Sequence, residues 1–220
     1  MTRMLDSCRN SLESLSLEHF ACNTNPRQLD LHLPNLTQLI LYACDMKIFK
    51  DLVKETNLPK LAQFSISFIN LTAVNRISKF MENHNVRHGG VRSVDLCCSP
   101  IRDDVADEEE PALTLVSCFS GVNKFKLTFK TSFLSDYAHK FVALTEMMAS
   151  LGGWDLTCGE IDVEMVPHFF ASEYKGPRDL DFGSALVIAV LAGMANWRGL
   201  AKTSLKFIGH QINTTNNNNK

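Results

Sequence analysis

Between residues 36 and 46 the chain reads Leu36-Thr37-Gln38-Leu39-Ile40-Leu41-Tyr42-Ala43-Cys44-Asp45-Met46, with repeated apolar positions at Leu36, Leu39, Leu41, Cys44 and Met46. Successive strand side chains point to opposite faces, so the alternation through Leu39 and Leu41 predicts a short strand with one buried face. Cys44 is expected to turn the chain with a small buried side chain, and Met46 to close the layer. The same spacing returns at Leu12, Leu15 and Leu17, at Leu61, Phe64 and Ile66, and at Val91, Val94 and Leu96. Weaker copies run through Val122, Phe125 and Leu127, through Cys158, Ile161 and Val163, and through Leu205 and Phe207. With Leu15, Leu39, Phe64, Val94, Phe125, Ile161 and Leu205 as anchors, the steps are 24, 25, 30, 31, 36 and 44 residues. This predicts parallel strands at Ser14–Leu17, Gln38–Leu41, Gln63–Ser67, Ser93–Leu96, Lys124–Thr128, Glu160–Glu164 and Ser204–Ile208.

The segments between them carry helical spacing. Met46 to Glu55, Val74 to Met81 and Tyr137 to Leu151 each show one apolar stripe, and Gly152-Gly153 ends the last. A further helix from Ala112 to Phe119 is expected from the acidic run that ends at Pro111, since carboxylates favour a helix N-terminal end. Phe182 to Trp197 is apolar nearly all round, which predicts a helix buried on several sides.

A short strand, a turn and a helical linker repeated in order resemble the leucine-rich repeat, whose period is about 20–29 residues. That likeness implies an α/β solenoid of about seven irregular repeats over residues 1–212, a curved parallel sheet with helices on its convex side. Residues 213–220, rich in asparagine, are expected to be a disordered tail. The runs LESLSLEHFACN (12–23) and LPNLTQLILYACDM (33–46) resemble the repeat region of animal F-box proteins, well over about residues 8–130 and loosely beyond. The resemblance implies a protein-interaction scaffold, the substrate-recognition region of an F-box-type ubiquitin ligase subunit, in the cytoplasm or nucleus. In that family an F-box precedes the repeats. Here the first repeat begins at Leu12, so a ligase core is expected to be reached only through an F-box outside these residues. A stand-alone repeat protein that binds or inhibits one partner, without a ubiquitin role, is the alternative.

Composition adds limits. Over 220 residues the formal net charge is −2, which argues against nucleic acid, since neutralising phosphates needs surplus Lys and Arg. MTRMLDSCRN has no apolar signal region, and the longest apolar run, Ala185 to Ala195, is too short for a bilayer, so no membrane role is expected. Seven cysteines without a C-x-x-C pair fit reduced thiols. A short lid from Met4, Leu5 and Cys8 is all that precedes Leu12, so the first layer is expected to show apolar surface.

Residues alternating with the buried ones should line the concave face. The candidate partner-binding set is Gln38, Ile40, Tyr42, Gln63, Ser65, Asp95, Lys124, Lys126, Glu160, Asp162 and Glu164. Its charges have two readings. They pair across the ladder, worth about 0.2–1 kcal/mol each, or they form a charged anchor beside Ile40 and Tyr42. The acidic run Asp103 to Glu110 reads as a solvated loop. His84, His88, Cys97 and Cys98 have zinc-ligand chemistry, but adjacent strand cysteines face opposite ways, so no metal is expected. G-x-S-x-G, H-E-x-x-H and glycine-rich phosphate loops are absent, so neither enzyme activity nor a cofactor is expected.

Overall fold

A computed structural model of the chain describes residues 7–18, 32–42, 53–68, 86–98, 113–131, 138–165, 179–195, 197–198 and 202–208. Its strands are β1 (Ser14–Glu18), β2 (Gln38–Tyr42), β3 (Gln63–Phe68), β4 (Ser93–Cys98), β5 (Lys124–Thr131), β6 (Cys158–Met165) and β7 (Lys202–Ile208). They form one seven-stranded sheet in chain order, every neighbouring pair parallel. Helix α1 (Leu113–Cys118) precedes β5, α2 (Ala138–Leu151) precedes β6 and α3 (Asp179–Met194) precedes β7. The fold is α/β. The linkers at 46–52 and 74–81 and the turn at Cys44 lie outside the described residues.

Each strand from β2 to β5 buries alternate side chains: Leu39 and Leu41, Phe64 and Ile66, Val94 and Leu96, Phe125 and Leu127. Three residues upstream of each anchor, Leu36, Leu61, Val91 and Val122 are also buried, and three further upstream so are Leu33, Leu58, His88 and Phe119. The buried pattern thus starts three residues earlier than the sequence spacing indicated, with four stacked side chains per layer. Helices and turns pack on this buried side. Phe119, just beyond α1, lies against Phe64 with ring centroids 5.1 Å apart.

One hydrogen-bonded joint recurs where the strands from β1 to β6 begin. The Glu13 carbonyl accepts the Thr37 and Gln38 N–H groups, that of Thr37 accepts Ala62 and Gln63, and that of Ala62 accepts Arg92 and Ser93. The Arg92 carbonyl takes Asn123 and Lys124, and the Asn123 carbonyl takes Thr157 and Cys158. The ten bonds measure 2.8–3.2 Å. Thr37 and Thr157 add their hydroxyls to the same carbonyls at 3.0 Å.

This joint and the strand pairing correct the register of the last two layers. Phe125 pairs with Gly159 and Gly159 with Thr203, whereas Ile161 pairs with Leu127 and Leu205. The anchors are therefore Gly159 and Thr203, not Ile161 and Leu205, and the fifth step is 34 residues, not 36. A two-residue shift keeps every side chain on its face. Apolar alternation alone favours Ile161 over a glycine. The joint at Asn123 and the buried Leu156, three residues before Gly159, select the other alignment. Aromatic bulk arrives instead from outside the strand. Trp154 packs tilted and Trp197 edge-on against Phe125, with ring centroids 5.6 and 5.8 Å away, and their indole N–H groups donate to the Phe119 and Met148 carbonyls.

Helix α2 buries Leu144, Met147, Met148 and Leu151. It meets α3 closely: Thr145 Oγ1 donates to the Ala189 carbonyl at 3.1 Å, and a Cβ on Gly193 would collide with Met148 and the Thr145 carbonyl. The expected burial of α3 on several sides does not hold. It buries Ala189, Val190 and Gly193, while Ile188 and Leu191 are 66% and 53% exposed, because α2 is its one close helical neighbour among the described residues. Among the described residues no helix is long and apolar enough to cross a membrane.

Candidate functional site

The face of the sheet opposite the core is built by the residues that alternate with the buried ones. Register gathers most of the sequence-derived set into three rows. Gln38, Gln63 and Lys124 share the first, with Ser93 between the last two. Ile40, Ser65, Asp95, Lys126 and Glu160 are successive partners in the second. Tyr42 and Asp162 lie at the two ends of the third, joined through Ser67, Cys97 and Thr128. Glu164 lies on β6 opposite Lys130, but its side chain is outside the described residues.

The neutral end of the face is open. Tyr42 is 45% exposed, Ile40 half-buried and Gln63 exposed. Gln38 is half-buried and its Oε1 accepts the Ser14 hydroxyl at 3.0 Å. The charged end is partly self-satisfied. Lys126 Nζ lies 3.0 Å from Asp162 Oδ2 and 3.6 Å from Glu160 Oε1, so pairing across the ladder is realised here. The hydrogen bond to Asp162, outweighing the opposing effect of desolvation, holds the Lys126 ammonium above the usual lysine range, helped by the neighbouring carboxylate charges.

Asp95 stands across from Lys126 in register but forms no ion pair with it. Burial pushes its carboxyl up. Lys126 pulls the other way, and Glu160 and Asp162 add to the rise. The second row therefore places a partly desolvated carboxylate two strands from Ile40, a separation of about 10 Å. Lys124 is exposed at the start of β5.

His88 is a residue whose role the spacing did not assign. It is fully buried at the layer position that Leu33 and Leu58 hold elsewhere. Its Nε2 lies 2.8 Å from the Leu58 carbonyl, and its Nδ1 accepts the Gly90 N–H at 3.2 Å. That pairing sets the proton on Nε2 and commits both nitrogens to neighbouring backbone. The available signal was its distance of six residues from Val94, equal to that of Leu33 from Leu39 and Leu58 from Phe64. His84 and the Cys98 side chain lie outside the described residues, and among those described no group of three or more His, Cys, Asp or Glu is placed to hold a metal.

Comparison of the chain with protein-family models, curated proteins and solved structures gives no match.

Proposed function

We propose that the chain is a leucine-rich-repeat interaction module whose open face, from β2 to β6, holds a protein partner, and that it serves as the substrate-recognition region of an F-box-type ubiquitin ligase subunit. The observation that carries the reading is the second row: consecutive in-register strands set the half-buried Ile40 two strands from Asp95, beside an exposed Tyr42. Exposed tyrosines are among the residues that most often anchor protein interfaces. The ligase half of the proposal is supported by the resemblance of residues 12–23 and 33–46 to F-box protein repeats. No reacting group or cofactor enters the reading.

The test uses the intact chain as bait, compared with Tyr42→Ala combined with Asp95→Lys. The expected result is a partner captured by the wild type and lost by a double variant that still melts in one cooperative transition. Capture that survives these changes and disappears instead with Ile188→Asp on α3 would move the interface to the helices. The ligase half is checked separately, by whether the captured partner accumulates when the protein is depleted from cells. An unchanged level would leave a stand-alone binding or inhibitory protein as the better reading.

A further inference from the structure

In the second and third rows of the open face, the described side chains from β2 to β6 include three carboxylates, Asp95, Glu160 and Asp162, and one cation, Lys126. That cation is committed to β6. Lys126 Nζ lies 3.0 Å from Asp162 Oδ2 and 3.6 Å from Glu160 Oε1, and both carboxylates hold further interactions. Asp95 is the partner of Lys126 on its other side in register. Among the described residues Asp95 makes neither an ion pair nor a hydrogen bond.

The surroundings of Asp95 leave its carboxyl within reach of an incoming group. Ser65 flanks it on β3, and Ser93 and Cys97 lie before and after it on the same face of β4. Ser67 and Thr128 occupy the diagonals toward the strand ends. These five side chains are too short to close over Asp95, and neither of its carboxyl oxygens is sealed from solvent. Burial nonetheless disfavours its charge, and the pull of Lys126 does not make up the difference. Among the described residues the charges acting on Asp95 are those of Lys126, Glu160 and Asp162, and exposed Lys124 on a further diagonal adds none. A partly desolvated carboxylate without a partner gains most from a cation delivered from outside, because part of its desolvation cost is already met in the free protein.

We propose that Asp95 receives one basic side chain, arginine or lysine, from a protein partner that also sets an apolar residue against Ile40 and Tyr42. The inference rests on the open-face reading and adds to it the chemistry of the partner. Ile40 and Asp95 stand two strands apart, about 10 Å, which three extended residues or two helical turns of a partner span. A partner carboxylate is poorly served here, because Lys126 is already held by Glu160 and Asp162 and both would repel the newcomer. The phosphates of a nucleic acid meet the same repulsion.

The experiment selects random peptides displayed on phage against the full chain, then measures one enriched peptide by fluorescence anisotropy. Enriched peptides are expected to carry Arg or Lys near an apolar residue and to lose binding to Tyr42→Ala. Asp95→Asn should weaken the measured peptide about fivefold to tenfold, and so should replacing the peptide's basic residue by Gln. The two changes together should weaken it no further than either alone, because they remove the same contact. Asp95→Ser, matching the serines around it, serves if Asp95→Asn does not fold. Peptides that need Tyr42 but bind Asp95→Asn as tightly as wild type overturn this proposal and leave the open face as the interface. Peptides indifferent to both substitutions, or a selection that enriches none, overturn the open-face reading beneath it.

Discussion

Asp95 occupies the middle of the open face, where burial disfavours its charged form. Its folded-state pKa lies above the unfolded value, so the fold is favoured with the proton on and loses that margin as pH rises through the folded value. Asp95→Asn removes the charge, and its melting temperature relative to wild type is expected to climb between acid and neutral pH. A constant difference across that range would show that Asp95 does not titrate against folding. Leu39 and Gln38 give a second residue-scale test. Leu39 is fully buried and Gln38 borders solvent, so Leu39→Ala should cost about 2–5 kcal/mol in denaturant titration. Gln38→Ala, losing one exposed hydrogen bond to Ser14, should cost within about 0.5 kcal/mol. Alternation made this division legible in the sequence, because one strand face is buried and the other is not. The choice of Lys126 was not legible. Its reach to Asp162 rather than Asp95 depends on side-chain rotamers that spacing does not encode.

At the scale of elements, hydrophobic pattern located α2 and α3 to within a few residues and strands β1 to β5 on their correct faces. It misjudged how α3 is covered. Composition reports that an element is apolar, not whether enough neighbours surround it, and α3 leaves Ile188 and Leu191 outward. It also misaligned β6, because a glycine anchor gives no apolar signal and the compensating indoles come from Trp154 and Trp197 outside the strand. The close approach of α2 and α3 yields a prediction whose sign is diagnostic. Alanine normally improves a helix over glycine by about 1 kcal/mol. At Gly193 the added methyl meets Met148 and the Thr145 carbonyl, so Gly193→Ala is expected to lower stability by about 1–3 kcal/mol. A higher melting temperature for this variant would show that the helices separate easily.

For the whole molecule, a sheet whose strands pair in chain order makes each layer depend mainly on its neighbours. Leu12 and Leu15 of the first layer are only half-buried, whereas Leu36, Leu39, Leu61 and Phe64 of the next two are sealed. Amide hydrogen exchange should therefore be fastest in β1 among β1 to β4, with β2 and β3 slower and near the global limit. Uniform protection across these strands would mean that the array opens only as one unit. The order and parallel sense of the strands were legible because each layer repeats the same inward residues. The register beyond β5 was not legible, because inserted residues change the spacing between successive strands and β6 carries a glycine at the anchor.

The carbonyl joint explains why such uneven steps are tolerated. Because the layers from β1 to β6 are fastened at equivalent points, the chain is free to change in length on the far side without disturbing the seam. Ala62 and Arg92 are equivalent points 30 residues apart. The molecule is in this sense modular stock that has been cut to different lengths, and a gene encoding it can gain or lose codons between seams while the reading of the front surface stays in phase.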